Sequence, residues 1–320
     1  MIRTAECITP HHPDKICDRV SDAILDACLE QDPSSRVAVE TMGGHRKIVV
    51  MGEITTDAKV DIPAVVRSVY DDVDDITVHV AKQSNFISQG VDTGGAGDQG
   101  IMVGYACNDN AQMIPQELYL ARQLCQIFYE DYPFDGKTQV TLDDDVITAV
   151  VVSFQNASGL ELYQRVEEWL EDQGYKNPSA SVDIHANPAG DWEVGGFDAD
   201  TGLTGRKLVV DNYGPRVPIG GGAFSGKDPS KVDRSAAYMG RRIAVDYLKK
   251  YGAKEVYVYL AYAIGHPAPV QATAIVDGVT HNVTEYDLTP EGIATLLELK
   301  QPRYRKTAEW GHFGNGFIWG

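Results

Sequence analysis

Apolar residues Ile16, Val20, Ile24, Ala27 and Cys28 recur at helical spacing behind Pro13, and the run stops near Asp32-Pro33. This predicts a helix with His12 and Asp14 at its N-terminus, where backbone N–H groups favour anions. The period then changes. Val- and Ile-rich runs over 36–42 and 47–56 predict two strands, followed by a helix over 62–73 and a strand over 76–81. A glycine-dense stretch at 90–100 leads to a second unit: helix 115–129, strands 138–142 and 147–155, helix 160–173 and a strand near 181–185. A third opens around Gly195, with helix 235–251, strands 255–263 and 270–276, and helix 290–299. Three such units predict an α+β protein of mixed or antiparallel sheets whose outer faces are covered by helices, divided as 1–92, 93–194 and 195–320.

At 320 residues the chain is large enough for two or three cored domains. Its net charge of −18 argues against nucleic-acid and anionic-membrane partners. Yet residues 200–250 hold ten Lys and Arg against five Asp, so a cationic region is set in an acidic protein. Five cysteines without a CxxC pair suggest reduced thiols and a cytoplasmic location. No signal core and no apolar run of membrane length is present.

The cations coincide with glycines in Gly221-Gly222-Ala223-Phe224-Ser225-Gly226-Lys227-Asp228, with Lys231, Asp233 and Arg234 close behind. Glycines let backbone N–H groups approach phosphate, lysines neutralise charge, and an aspartate holds a divalent cation. The spacing Gly221-x4-Gly226-Lys227 begins like a P-loop. Asp228 then stands where a neutral Ser or Thr hydroxyl would be needed, so this is a phosphate site of another kind.

Six segments in order resemble the methionine adenosyltransferases, also called S-adenosylmethionine synthetases: His12-Pro13-Asp14-Lys15, Gly52-Glu53-Ile54-Thr55-Thr56, Gly95 to Gly100, Gly202 to Lys207, Gly220 to Asp228, and Lys231-Val232-Asp233-Arg234-Ser235. The resemblance runs from Glu6 to about Gly314. It implies three similar α+β domains with exchanged segments, a homo-oligomer with its site between two subunits, two Mg²⁺ per site and K⁺. It also implies the reaction: the methionine sulfur attacks C5′ of ATP, triphosphate leaves, and tripolyphosphate is cleaved to pyrophosphate and phosphate. Alignment and stabilisation of the leaving group would dominate such a step.

By the same resemblance His12 approaches the oxygen between C5′ and the α-phosphate, and Lys137, Arg206, Lys207, Lys227 and Lys231 are the catalytic and triphosphate cations. Asp14 and Asp233 are matched to Mg²⁺ and Glu40 to K⁺. Glu53, Gln83, Asp98, Asp135, Trp192, Asp200 and Ala223 are matched to methionine or the nucleoside. Five of these have a plainer reading. His12 would be a helix cap, Trp192 a core residue, Glu40 a solvated carboxylate, and Asp14 and Asp233 surface carboxylates or partners of Lys15 and Arg234. The competing functions are a general ATP-dependent phosphotransferase and a catalytically silent nucleotide-binding homologue.

Against the family pattern, the loop Gln89–Gly94 replaces a longer gate, which would alter turnover or substrate tolerance. Asp191 stands in place of a basic residue beside the adenine aromatic, Asn315 in place of arginine, and Cys107 in place of threonine.

Overall fold

The computed structural model describes residues 1–83, 94–175 and 178–320, so most of the short loop Gln89–Gly94 lies outside the described residues. The elements in chain order are β1 (Ile2–Ile8), α1 (Pro13–Gln31), β2 (Arg36–Gly44), β3 (Lys47–Thr55), α2 (Ile62–Val69), β4 (Asp75–Ala81), β5 (Gly100–Cys107), α3 (Gln116–Asp131), β6 (Gly136–Asp143) and β7 (Val146–Phe154). They continue with α4 (Gly159–Asp172), α5 (Pro178–Ser181), β8 (Asp183–Ala186), β9 (Gly202–Leu203), α6 (Leu208–Asp211), α7 (Val232–Tyr251), β10 (Glu255–Tyr262), β11 (Gln271–Val276), β12 (Val279–Asn282), α8 (Pro290–Leu296) and α9 (Tyr304–Thr307).

The start of α1 follows from local chemistry. His12 is the N-cap in extended backbone and accepts the Asp14 N–H, while Pro13 occupies the first turn, where an amide donor would have no partner. Cys17, Val20 and Ile24 are fully buried along its inner face.

Three four-stranded sheets form, ordered β4-β3-β2-β9, β1-β6-β7-β8 and β12-β11-β10-β5. The first two each contain a parallel pair, β3 with β4 and β7 with β8. Each sheet also takes one strand from a distant part of the chain. The N-terminal β1 joins β6, β5 joins β10, and the two-residue β9 joins β2, all antiparallel. One apolar core unites α1, β2 and β3 with α7, β5 and β10, and another lies among α3, α4, β6 and β7. At Gly104 a Cβ would lie 2.0 Å from the carbonyl carbon of Gly240, so glycine on β5 lets α7 approach the sheet at backbone distance.

The expectation that helices cover the sheets needs one correction. In the first sheet Ala38 pairs with Glu53, Glu40 with Met51 and Met42 with Val49, so these side chains share a face. That face is open: Met42 and Met51 are 54% and 55% exposed, with Leu203 at its edge also exposed. Helix α1 packs on the opposite face.

Candidate active site

The sequence-predicted residues fall into two groups. The first gathers around the start of α1. Asp14, fully buried, accepts the Leu203 N–H (3.0 Å) and the Lys207 Nζ (2.5 Å), and pairs with Arg206 Nε at 2.9 Å. Burial pushes its pKa up, but Lys207 and the Leu203 amide outweigh that and hold it below the usual carboxylate value.

His12, only 5% exposed, accepts the Asp14 N–H on Nδ1 at 3.2 Å. Burial, followed by the charges of Lys207 and Lys137, depresses its pKa to about 3 against smaller opposing effects of Asp14 and Asp200. The ring is therefore neutral at physiological pH. Because Nδ1 is the acceptor, the proton resides on Nε2, and His12 offers one uncharged N–H donor beside two cations.

Asp135, just before β6, accepts the Gly196 N–H through Oδ2 at 3.0 Å, and its buried Oδ1 has no hydrogen-bond partner. Burial raises its pKa. Trp192 is beside it: a Cβ on Gly195 would lie 2.6 Å from the indole and 2.5 Å from Gln155 Oε1, and the Gln155 N–H bonds to the Asp135 carbonyl. Asp200 is exposed and accepts the Thr201 N–H.

The second group lies on the glycine-rich loop. Asp233, in the first turn of α7, accepts the Gly222 N–H at 2.9 Å and the Lys227 Nζ at 2.7 Å. Asp228 accepts the Val37 N–H (2.7 Å), the Ser230 N–H (2.8 Å) and the Lys231 Nζ. It ties the loop to β2, which explains why a carboxylate stands where a P-loop has a hydroxyl. Ala223 meets the other group, since a Cβ on Gly205 would lie 2.4 Å from its own. Glu40 and Glu53 stand on the open face of the first sheet. Gln83 is buried with an unpartnered Oε1, and Asp98 is exposed with the Gln99 N–H on its carboxylate. Among the described residues, no hydrogen bond or ion pair joins a predicted site residue of the first group to one of the second.

Two plain readings fail. Asp14 does not pair with Lys15, nor Asp233 with Arg234. Lys15, 1% exposed, instead binds Asp18 (3.1 Å) and Asp211 (2.5 Å), and Arg234 binds Asp22 through both terminal nitrogens at 2.6 and 2.9 Å. Asp18 and Asp22 were missed by sequence reasoning, although their spacing of four behind Asp14 places them on one helix face. Asp191 is also structural. It accepts the Gly159 N–H at 2.7 Å at the start of α4 and the Asn187 amide at 3.2 Å. Asn315 donates to the Trp310 and Gly311 carbonyls, and Cys107 is buried in β5.

No group of three or more His, Cys, Asp or Glu side chains forms a metal cage among the described residues. No helix among them is long and apolar enough to cross a membrane.

Sequence models of the N-terminal, central and C-terminal domains of S-adenosylmethionine synthetase match residues 1–91, 93–192 and 194–320. An S-adenosylmethionine synthase of Brachyspira hyodysenteriae is 41% identical, the match covering 97% of this chain and 92% of the relative. S-adenosylmethionine synthase 1 of Rhodospirillum rubrum is 39% identical over 99% of this chain and 94% of its own. With every domain matched and this identity over nearly the full length, the chain belongs to the S-adenosylmethionine synthetase family.

Proposed function

We propose that this chain makes S-adenosylmethionine from ATP and L-methionine. A lone pair on the methionine sulfur forms the new bond to C5′, and the C5′–O bond breaks with its electrons passing to the triphosphate. Water then cleaves the tripolyphosphate to pyrophosphate and phosphate. Sulfur needs no general base, so the barrier lies in alignment and in the charge appearing on the leaving oxygen.

The observation that carries this reading is the buried His12 at the start of α1, its Nδ1 taken by the Asp14 N–H and its ring kept neutral by burial and by the charges of Lys207 and Lys137. A neutral Nε2–H can follow the developing charge while the cations neutralise the phosphates. Arg206 contributes a planar fork and Lys207, Lys227 and Lys231 compact charges. The unpartnered oxygens of Asp135 and Gln83 suit ligand donors, the first from the nucleoside and the second from methionine. Glu53, Asp98 and Asp200 are carboxylates for the ammonium and ribose groups, and the indole of Trp192 is a stacking surface for adenine.

The metal carboxylates are single rather than clustered, which fits Mg²⁺ held jointly by one carboxylate, phosphate oxygens and water. Asp14 and Asp233 would each hold one ion, and such ions supply charge neutralisation at the phosphates. Glu40 is the residue assigned to K⁺. The open face carrying Glu40, Glu53, Met42 and Met51 supports a homo-oligomer whose site is completed by a second copy. Five free, buried cysteines support a cytoplasmic location.

The test is mass spectrometry of the purified protein with ATP, methionine, Mg²⁺ and K⁺, with methionine omitted as control. Methionine-dependent S-adenosylmethionine with pyrophosphate and phosphate is expected. ADP formation, or no turnover, would overturn the assignment.

A further inference from the structure

Helix α1 carries carboxylates at Asp14, Asp18, Asp22 and Asp26, each four residues after the last, and together they accept backbone N–H groups from three distant stretches of chain. Asp14 takes Leu203 (3.0 Å), Asp18 takes Gly205 (2.8 Å), Asp22 takes Gly226 (2.8 Å), and Asp26 takes Tyr304 and Arg305 (both 2.9 Å). The two middle contacts coincide with the chemistry. Gly205 precedes Arg206 and Lys207, and Gly226 precedes Lys227.

Both middle carboxylates are fully buried and backed by a buried cation. Lys15 supports Asp18, while Arg234 supports Asp22 and also donates to the Lys227 carbonyl at 3.2 Å. The seat of the second loop is tight. Gly226 has φ of +80°, and a Cβ there would lie 2.0 Å from the Val39 carbonyl oxygen. The backbone bonds of the first cations within their own loops are longer, 3.3 Å from Arg206 N–H to Leu203 and 3.3 Å from Lys227 N–H to Phe224, while β2 adds a second hold on each segment through Thr204 N–H to Thr41 (2.9 Å) and Val39 N–H to Gly226 (3.1 Å).

We infer that Asp18 and Asp22 are positioning residues: one rigid helix fixes both phosphate-binding loops by gripping the glycine ahead of each set of cations. The inference rests on the function proposed above. An acceptor buried and backed by a cation has little freedom to move, and its placement on a helix sets where the following side chains start.

The test uses Asp18→Glu and Asp22→Glu, which keep the charge that the buried cation needs and shift the acceptor oxygens by one methylene. The control is Asp26→Asn, on the same helix but gripping neither loop. S-adenosylmethionine formation and hydrolysis of added tripolyphosphate are measured on the full-length protein. A misplacement of this size should lower kcat about 30-fold in both assays, with KM for methionine changed less than about threefold. The Asp26→Asn protein should lose melting temperature and keep kcat. Folded Glu variants with kcat near wild type, or a kcat loss in Asp26→Asn equal to theirs, would overturn the inference.

If a Glu variant does not fold, Asp18→Asn and Asp22→Asn decide instead, because they retain an oxygen for the glycine N–H: they must keep more kcat than the Ala variants. A wild-type protein that makes no S-adenosylmethionine would indict the proposed function alone. In that event the rise in melting temperature with inorganic tripolyphosphate decides: a smaller rise in the Asp18 and Asp22 variants supports positioning, and an unchanged rise rejects it.

Discussion

Replacing Lys15 with Met should destabilise the protein in a way that depends steeply on pH. The ammonium is 1% exposed and is bonded to two fully buried carboxylates, Asp18 and Asp211. Removing one partner of a buried ion pair typically costs about 3–5 kcal/mol, because the other charge is left without compensation. Here two carboxylates would be left facing each other.

The wild-type Asp18 already has its pKa pushed up to about 7, chiefly by burial, with Lys15 opposing and Asp211 reinforcing the rise. A carboxyl whose folded pKa exceeds its unfolded value of about 3.9 binds its proton more tightly when folded, so it lowers stability as pH rises from the unfolded toward the folded pKa. In the wild type that decline ends near pH 7. Without Lys15 the folded pKa moves higher, and the decline continues at about 1.4 kcal/mol per pH unit through pH 8. Urea-unfolding midpoints at fixed protein concentration between pH 6 and 8.5 measure this. The deficit of Lys15→Met should widen across that range. An equal deficit at both ends, or one that narrows as pH rises, would refute the argument.

Three further outcomes follow from the site. His12→Ala should lower kcat for S-adenosylmethionine about 10²–10³-fold, the usual loss for one preorganised donor, with KM for ATP nearly unchanged; steady-state kinetics check it. If the proposed homo-oligomer forms through the open face, Met42→Asp with Met51→Asp should shift the protein to monomer in sedimentation velocity and abolish turnover, because both residues lie there with Glu40 and Glu53. Asp191→Ala should lower stability by about 1 kcal/mol through loss of the contact to the α4 N-terminus, seen as a lower melting temperature.

The long helices and paired strands were legible because their apolar periods are regular. Strand β1 was not, because its buried residues Ala5, Cys7 and Ile8 do not alternate strictly. Strand β5 was hidden by its glycines: Gly100 closes a glycine-rich stretch, and Gly104 reads as a breaker until α7 is seen lying against it. The exchange of β1, β5 and β9 among sheets is set by contacts between distant segments, which no local period encodes. At the proposed site, His12, Asp14, Lys207, Lys227 and Lys231 stand in motifs that the sequence itself displays. Asp18 and Asp22 belong to none of the motifs and lie between the apolar positions of α1, and only the fold shows that they are covered by two loops.

The cationic stretch from 200 to 250 also changes meaning once folded. From sequence it is an unbalanced excess of positive charge, yet most of its cations are matched by carboxylates, several from far away: Arg206 and Lys207 with Asp14, Arg216 with Asp109, Arg234 with Asp22, alongside Lys227 with Asp233 and Lys231 with Asp228. A free polycationic surface in a protein of net charge −18 would attract any anion and repel itself. Pairing removes that cost while leaving the cations in place. It also divides them. Arg234 is buried and holds the loop, whereas Arg206, Lys207, Lys227 and Lys231 remain partly exposed on partners that they share with the proposed metal carboxylates or with the loop itself. For the proposed reaction this arrangement would favour a metal-bound polyphosphate over a simple anion: an anion alone must compete with Asp14 and Asp233 for Lys207 and Lys227, whereas a ligand that brings its own cations would give those carboxylates a replacement partner.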